Sequence, residues 1–131
     1  MNNFEKHIPD SILLELSSLG NLREGVRMSS VTTFKTGGPA DYLFSSPDEA
    51  AVVSAVSILK SENIEFHIVG GGSNLLVSDS GLRGVVIRMA DENAGIQVNE
   101  GTIYAASSVS KEKFISEAID KGFGGVEFMA G

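Results

Sequence analysis

Apolar residues in this chain recur with helical period in three places and alternate or run together in several shorter ones. Ile12, Leu13, Leu16 and Leu19 fall on one helical face between Pro9, which suits a first helical turn, and Gly20, which supplies a stop. The spacing predicts an amphipathic helix over 9–19. Residues 21–30 carry mixed charge without periodicity and read as a connector. Tyr42, Leu43 and Phe44 predict a short strand. The next helix is expected over 47–62, with Ser46 as cap, Pro47 in the first turn and Glu49 where a capping box places its carboxylate. Val52, Val53, Val56 and Leu59 form its stripe to be buried, Ser54, Ser57 and Lys60 its wet face, and Asn63 its stop. A strand over 66–69 completes a βαβ unit, expected to be parallel and right-handed.

The strand at 66–69 leads into Gly70, Gly71 and Gly72, then Ser73 and Asn74, then the apolar run Leu75, Leu76, Val77, and a further apolar run from Val85 to Met89. The pattern predicts strand, tight excursion, strand. Three consecutive glycines lose much conformational entropy on folding, a cost that makes sense where backbone takes positive φ or a ligand approaches closely. Successive N–H groups in such a loop can form a nest for an anion, with Ser73 and Asn74 as side-chain donors beside it. It also starts at the carboxyl end of a parallel strand, where open α/β sheets place ligands. The residues do not make a dinucleotide fingerprint: the third glycine of G-x-G-x-x-G is replaced by Leu75, and strand rather than helix is expected to follow. A Walker loop is excluded, since no glycine precedes a lysine. Taken alone, the loop reads equally as a glycine-rich turn between buried strands.

A second punctuated stretch, Gly37-Gly38-Pro39, precedes the 42–44 strand, with Thr33, Lys35 and Thr36 as possible polar contacts to a ligand or as plain turn residues. Beyond Met89, Asp91 to Gly95 reads as a turn. Ile96-Gln97-Val98 and 102–106 read as a hairpin around Asn99, Glu100 and Gly101. Ser110 caps a last helix with the apolar face Phe114, Ile115, Ala118 and Ile119, ending at Gly122 and leading into a glycine-rich segment at 124–131.

Composition narrows the function classes. A formal net charge of −7 opposes nucleic acid and anionic membranes as partners, so an anionic ligand must be held by local amides rather than a long-range field. The absence of cysteine removes disulfides, thiolate catalysis and thiolate-bound metal. No apolar run reaches membrane-spanning length, and the first residues lack the apolar core of a signal peptide. His7 and His67, far apart and without acids at ligand spacing, read as structural, and the adjacent acids Asp91 and Glu92 as solvated. Arg83, between Gly81 and Gly84, has two open readings, a phosphate contact and a surface role. At 131 residues with 42% hydrophobic positions, the chain is one domain or part of one.

Four stretches, 33–41, 69–77, 81–87 and 125–131, resemble in order and spacing the bacterial UDP-N-acetylenolpyruvoylglucosamine reductase family. The resemblance implies an α+β fold, the FAD-binding domain of the vanillyl-alcohol oxidase type, in which a βαβ unit is followed by mixed and antiparallel strands and loop amides hold the pyrophosphate. It implies that 1–131 is the N-terminal portion of one such domain, with 1–30 as helix and connector, 31–131 as flavin-binding region, and the rest of that domain and the substrate domain absent. It further implies FAD held non-covalently by Thr36, Gly37, Val69, Gly70, Gly71, Gly72, Ser73, Asn74, Leu75 and Gly131. NADPH would be co-substrate of the full-length enzyme and an enolpyruvyl UDP-sugar its substrate, in cytoplasmic peptidoglycan synthesis. The family's proton-donating serine, arginine and glutamate fall after Gly131, so no catalytic residue is expected in this chain, and no activity of the chain alone. Two readings of the fragment stand, a flavin-holding unit and an inert folded one, and a homodimer of the fragment is expected.

Overall fold

The computed structural model describes residues 7–70, 75–89, 95–107 and 109–130, in two compact units, Met1–Ala90 and Asp91–Gly131. In the first, the expected helix α1 (Asp10–Leu19) starts after Pro9, whose carbonyl accepts from the N–H groups of Ile12 and Leu13, and buries Ile12 and Leu16. The stretch read as a connector is instead strand β1 (Asn21–Arg27), antiparallel to β2 (Pro39–Ser46) with Leu22 opposite Phe44 and Val26 opposite Ala40. It lies at the edge of the sheet, where charged side chains facing water obscure the period-2 signal and guard the open edge.

Helix α2 (Glu49–Ser61) forms as expected, but its cap is Asp48, whose carboxylate accepts from the N–H of Ala50 at 3.0 Å. Ser46 ends β2, buried, and its hydroxyl accepts from the N–H of Asp48. The anionic cap also complements the helix dipole, which favours Asp48 over a neutral serine farther out. The buried stripe is Ala51, Val52, Ala55 and Leu59, and Val53 points to solvent. The face turns toward the alanines because their small side chains let the helix sit close to the sheet. Asn63 stops the helix in a left-handed conformation, φ 52°, and the N–H of Ile64 donates back to the Leu59 carbonyl.

Strand β3 (Phe66–Val69) falls where expected, and the next strand, β4 (Leu82–Met89), starts later than the apolar residues after Asn74 suggested. Leu75, Leu76 and Val77 carry no regular secondary structure. The sheet order is β1-β2-β4-β3, with β2 and β3 both parallel to β4, so the expected βαβ unit exists with β4 inserted between its two strands. One face carries α1 and α2 over Phe44, Val85 and Ile87. The opposite face has a smaller core of Met28, Ala40, Leu43, Val77 and Val86, against which Val69, Leu75 and Leu82 pack.

The second unit, taken by itself, is the expected hairpin and helix. Strands β5 (Ile96–Asn99) and β6 (Thr102–Ala105) pair around a two-residue turn with Gly101 at φ 70°. Helix α3 (Lys111–Asp120) is capped by Ser110, whose hydroxyl accepts from the N–H of Lys113 at 3.1 Å. A single 3-10 turn, Glu127–Ala130, follows. No helix among the described residues is long and apolar enough to cross a membrane.

Candidate functional site

Parallel pairing of β3 with β4 requires the chain to return from the carboxyl end of one strand to the amino end of the next, and it does so in residues 70–81. Such a crossover needs a dozen residues or more and usually contains a helix. Here it contains none among its described residues, and the side chains of Leu75 and Val77 lie on the face opposite α1 and α2. The segment takes the place a crossover helix would occupy.

The register fixes where the sequence-predicted residues stand. Val69 pairs with Arg88, so Gly70 leaves from the carboxyl ends of the parallel strands. Ala40 pairs with Leu82, so Thr36 and Gly37, just before β2, belong to the amino ends. Five residues of rise at about 3.3 Å each separate Ala40 from Ser45, the partner of Arg88, so these two parts of the site are roughly 17 Å apart along the strands. They do not form one cluster. They are the ends of a strip, joined by Leu75 and Val77, that suits an elongated ligand. Gly71, Gly72, Ser73, Asn74 and Gly131, expected in the site, lie outside the described residues, as do Asp91 and Glu92.

Along the strip the glycines play different parts. Among the described residues a Cβ on Gly70 would meet nothing within 4 Å, so none of them closes this backbone to an approaching group. Gly37, at φ 121°, is pressed against Val77 and Met28, and Gly38 and Gly81 are pressed against the backbones of Asp79 and Pro39. The second set is needed to pack protein on protein. The carbonyl of Ser78 accepts from the N–H groups of both Gly38 and Gly81, each at 2.9 Å, and the N–H groups of Met28 and Ser29 donate to the carbonyls of Gly38 and Gly37.

Thr36 presents an exposed side chain, while its backbone is held by Thr32: the Thr32 hydroxyl donates to the Thr36 carbonyl at 2.9 Å and accepts from the Thr36 N–H at 3.2 Å. Buried Thr32 was missed by the sequence reading; its only signal was a threonine four residues before Thr36 in a turn. Between them Lys35 takes φ 53°, left-handed for a residue that is not glycine.

Asp41 supports the structural reading of Arg83. Its Nη1 lies 2.8 Å from Asp41 Oδ1, its Nη2 donates to the Ser80 carbonyl at 3.1 Å, and Asp41 Oδ2 accepts from the N–H of Gly84 at 2.9 Å. The pairing register shifts between Ala40 and Tyr42 at this point, and Asp41 bridges the irregularity. Arg83 is thus a structural ion-pair partner. Nε2 of His67 lies 3.3 Å from Oε1 of Glu65, and no group of three metal-ligating side chains occurs among the described residues. Burial first, then the negative charges of Glu24, Asp41 and Asp10, raises the Tyr42 phenol above its ordinary pKa.

Residues 40–130 match the profile of a family described as FAD binding domain. The chain is 37% identical over its full 131 residues to UDP-N-acetylenolpyruvoylglucosamine reductase of Clostridium kluyveri, covering 42% of that protein. It is 34% identical over 124 residues to the protein of the same name from Bacillus licheniformis, 93% of this chain and 41% of the relative. The Azorhizobium caulinodans protein of that name is 38% identical over 112 residues, 86% of this chain and 36% of the relative. The chain therefore spans about two fifths of the length of these relatives.

Proposed function

The chain belongs to the FAD-binding domain family, and on that premise we propose that it is the flavin-holding part of a UDP-N-acetylenolpyruvoylglucosamine reductase. The observation that carries this reading is the strip itself: the partly exposed apolar side chains of Val69 and Leu75, seated on buried Val77, with the backbone of Gly70 at its head. An elongated ligand with an anionic middle and apolar rings fits a site that is long, partly apolar and lined by backbone.

In this reading the pyrophosphate lies against 70–74, whose sequence Gly70-Gly71-Gly72-Ser73-Asn74 supplies N–H and side-chain donors, and Val69 and Leu75 flank it. Thr36 and Gly37 serve the far end of the strip. FAD is held non-covalently and supplies hydride-transfer chemistry when bound. The parent enzyme takes reducing equivalents from NADPH and reduces an enolpyruvyl UDP-sugar to UDP-N-acetylmuramate, in the cytoplasmic synthesis of peptidoglycan precursors. What this chain's own residues do is bind and orient: they neutralise the pyrophosphate with amides in a protein of net charge −7 and exclude water from one side of the ligand.

Flavin titration of wild type and Gly70→Val tests the reading. A Cβ at Gly70 meets no atom of the described residues within 4 Å, so the variant is expected to fold as wild type and lose FAD affinity by at least about tenfold, because two methyls then stand where the phosphate approaches. Unchanged affinity would remove the loop from the site. A wild-type chain that folds and takes up no flavin would favour the inert fragment.

A further inference from the structure

Asp41 and Arg83 were not needed to describe the flavin site, yet they tie together its amino-terminal end. Three connections converge on the pair. Asp41 receives the N–H of Gly84 and the Arg83 guanidinium; Arg83 in turn donates to the Ser80 carbonyl; and one residue pair away the Ser78 carbonyl takes the N–H groups of Gly38 and Gly81. The Ser78 and Ser80 hydroxyls, 2.9 Å apart, close the same turn. Val77, the last residue of the strip, leaves directly into this turn and packs on Gly37.

We propose that Asp41 and Arg83 are a positioning pair for the flavin, holding the 78–81 turn against Gly38 and Pro39 and so setting the course of 75–77 across the sheet. The proposal rests on the reading that the strip binds FAD. Asp41 lies within β2 and Arg83 within β4, and their charges are spent on each other.

Magnitudes favour a local rather than a global role. The side chains of Arg83 and Asp41 are 50% and 34% exposed, and ion pairs so exposed add little to the stability of a whole domain. The segment they restrain has no helix or strand ladder of its own, so its opening costs far less than global unfolding, and a charge-assisted contact is a large share of that smaller cost. Loss of the pair should therefore loosen 75–81 while leaving the α1 and α2 core intact.

Asp41→Asn keeps an acceptor for the Gly84 N–H and removes the charge that holds Arg83, and Arg83→Met removes the other partner. The experiment measures FAD affinity by fluorescence titration, and amide hydrogen exchange in the protein without FAD. Each variant should bind FAD roughly tenfold more weakly, and the Asp41→Asn/Arg83→Met double variant should bind no worse than either single one. The Gly38 and Gly81 amides should exchange about tenfold faster, with amides of α2 as protected as in wild type. Wild-type FAD affinity in both single variants overturns the proposal. So does a loss accompanied by equally faster exchange in α2, which would mark the pair as merely stabilising. If wild type binds no FAD, the flavin reading fails; the exchange arm still judges the restraint, which falls if Gly38 and Gly81 exchange at wild-type rates in the variants.

Discussion

Gly37 and Val77 stand so close that a Cβ on the glycine would lie 2.8 Å from the Val77 Cβ. Met28 crowds the same point from the other side at 2.9 Å, and Gly37 itself has φ 121°, where an L side chain is strained. This contact seats the crossover segment on the loop before β2. Replacing Gly37 with Ala should destabilise the first unit by about 2 kcal/mol or more, strain and overlap adding. Urea denaturation checks it: a midpoint equal to wild type would mean that the contact gives way without cost.

Much of this fold could be read from local pattern. Helices over α1, α2 and α3, strand β3 and the hairpin of β5 and β6 follow from periodicity and punctuation, because their own side chains decide their conformation. What could not be read depends on pairing between distant residues. β1 has only Leu22 and Val26 to bury, each meaningful once Phe44 and Ala40 are opposite. The insertion of β4 between β2 and β3 has no local signature at all. Leu75, Leu76 and Val77 look like strand because they form an apolar run, but Val77 is buried and Leu75 partly buried against a sheet face rather than in a ladder. At the site, sequence marks where glycine occurs and not what approaches it. A Cβ on Gly70 meets none of the described residues within 4 Å, whereas Gly37, Gly38 and Gly81 face protein, and only the fold separates the two kinds.

Alkaline stability should report on Tyr42. Its phenol is raised in the folded protein by burial and by Glu24, Asp41 and Asp10, relative to an unfolded value of about 10. Above that value the folded state holds a proton the unfolded state has lost, so this contribution is fully present below pH ~10 and falls as pH rises through the folded pKa. Urea midpoints taken toward pH ~11 should fall more steeply for wild type than for Tyr42→Phe. Parallel slopes would show that other groups dominate the alkaline limb.

The isolated 131-residue chain should not oxidise NADPH in a manner dependent on the enolpyruvyl UDP-sugar. Rate acceleration needs a proton donor and charge-stabilising groups placed together at the reacting atoms. The resemblance gives these groups no counterparts within this chain, and Arg83, a cation near the strip, is committed to Asp41. Slow, substrate-independent reduction of bound flavin is the most that is expected. Substrate-dependent turnover at rates typical of enzymes would require catalytic residues within 1–131.

Self-association of the isolated chain is expected to run through the edge of β3. Among the described residues this strand is the last in the sheet order, and Ile68 on it is 65% exposed, so an apolar side chain stands on the strand expected to pair with a second copy. Two such edges related by a two-fold axis would pair antiparallel, each covering the other's Ile68. The strand is four residues long, which limits the number of new hydrogen bonds and makes the dimer weak and concentration-dependent. The net charge of −7 opposes contact but is screened beyond roughly 8 Å at physiological salt, so dimerisation should strengthen as salt is added. Ile68→Lys places a charge on the edge and should return the chain to monomer without changing its thermal midpoint. Sedimentation across a concentration series separates the outcomes: one monomeric species at high protein and high salt would reject the dimer, and a dimer that persists in Ile68→Lys would place the interface elsewhere.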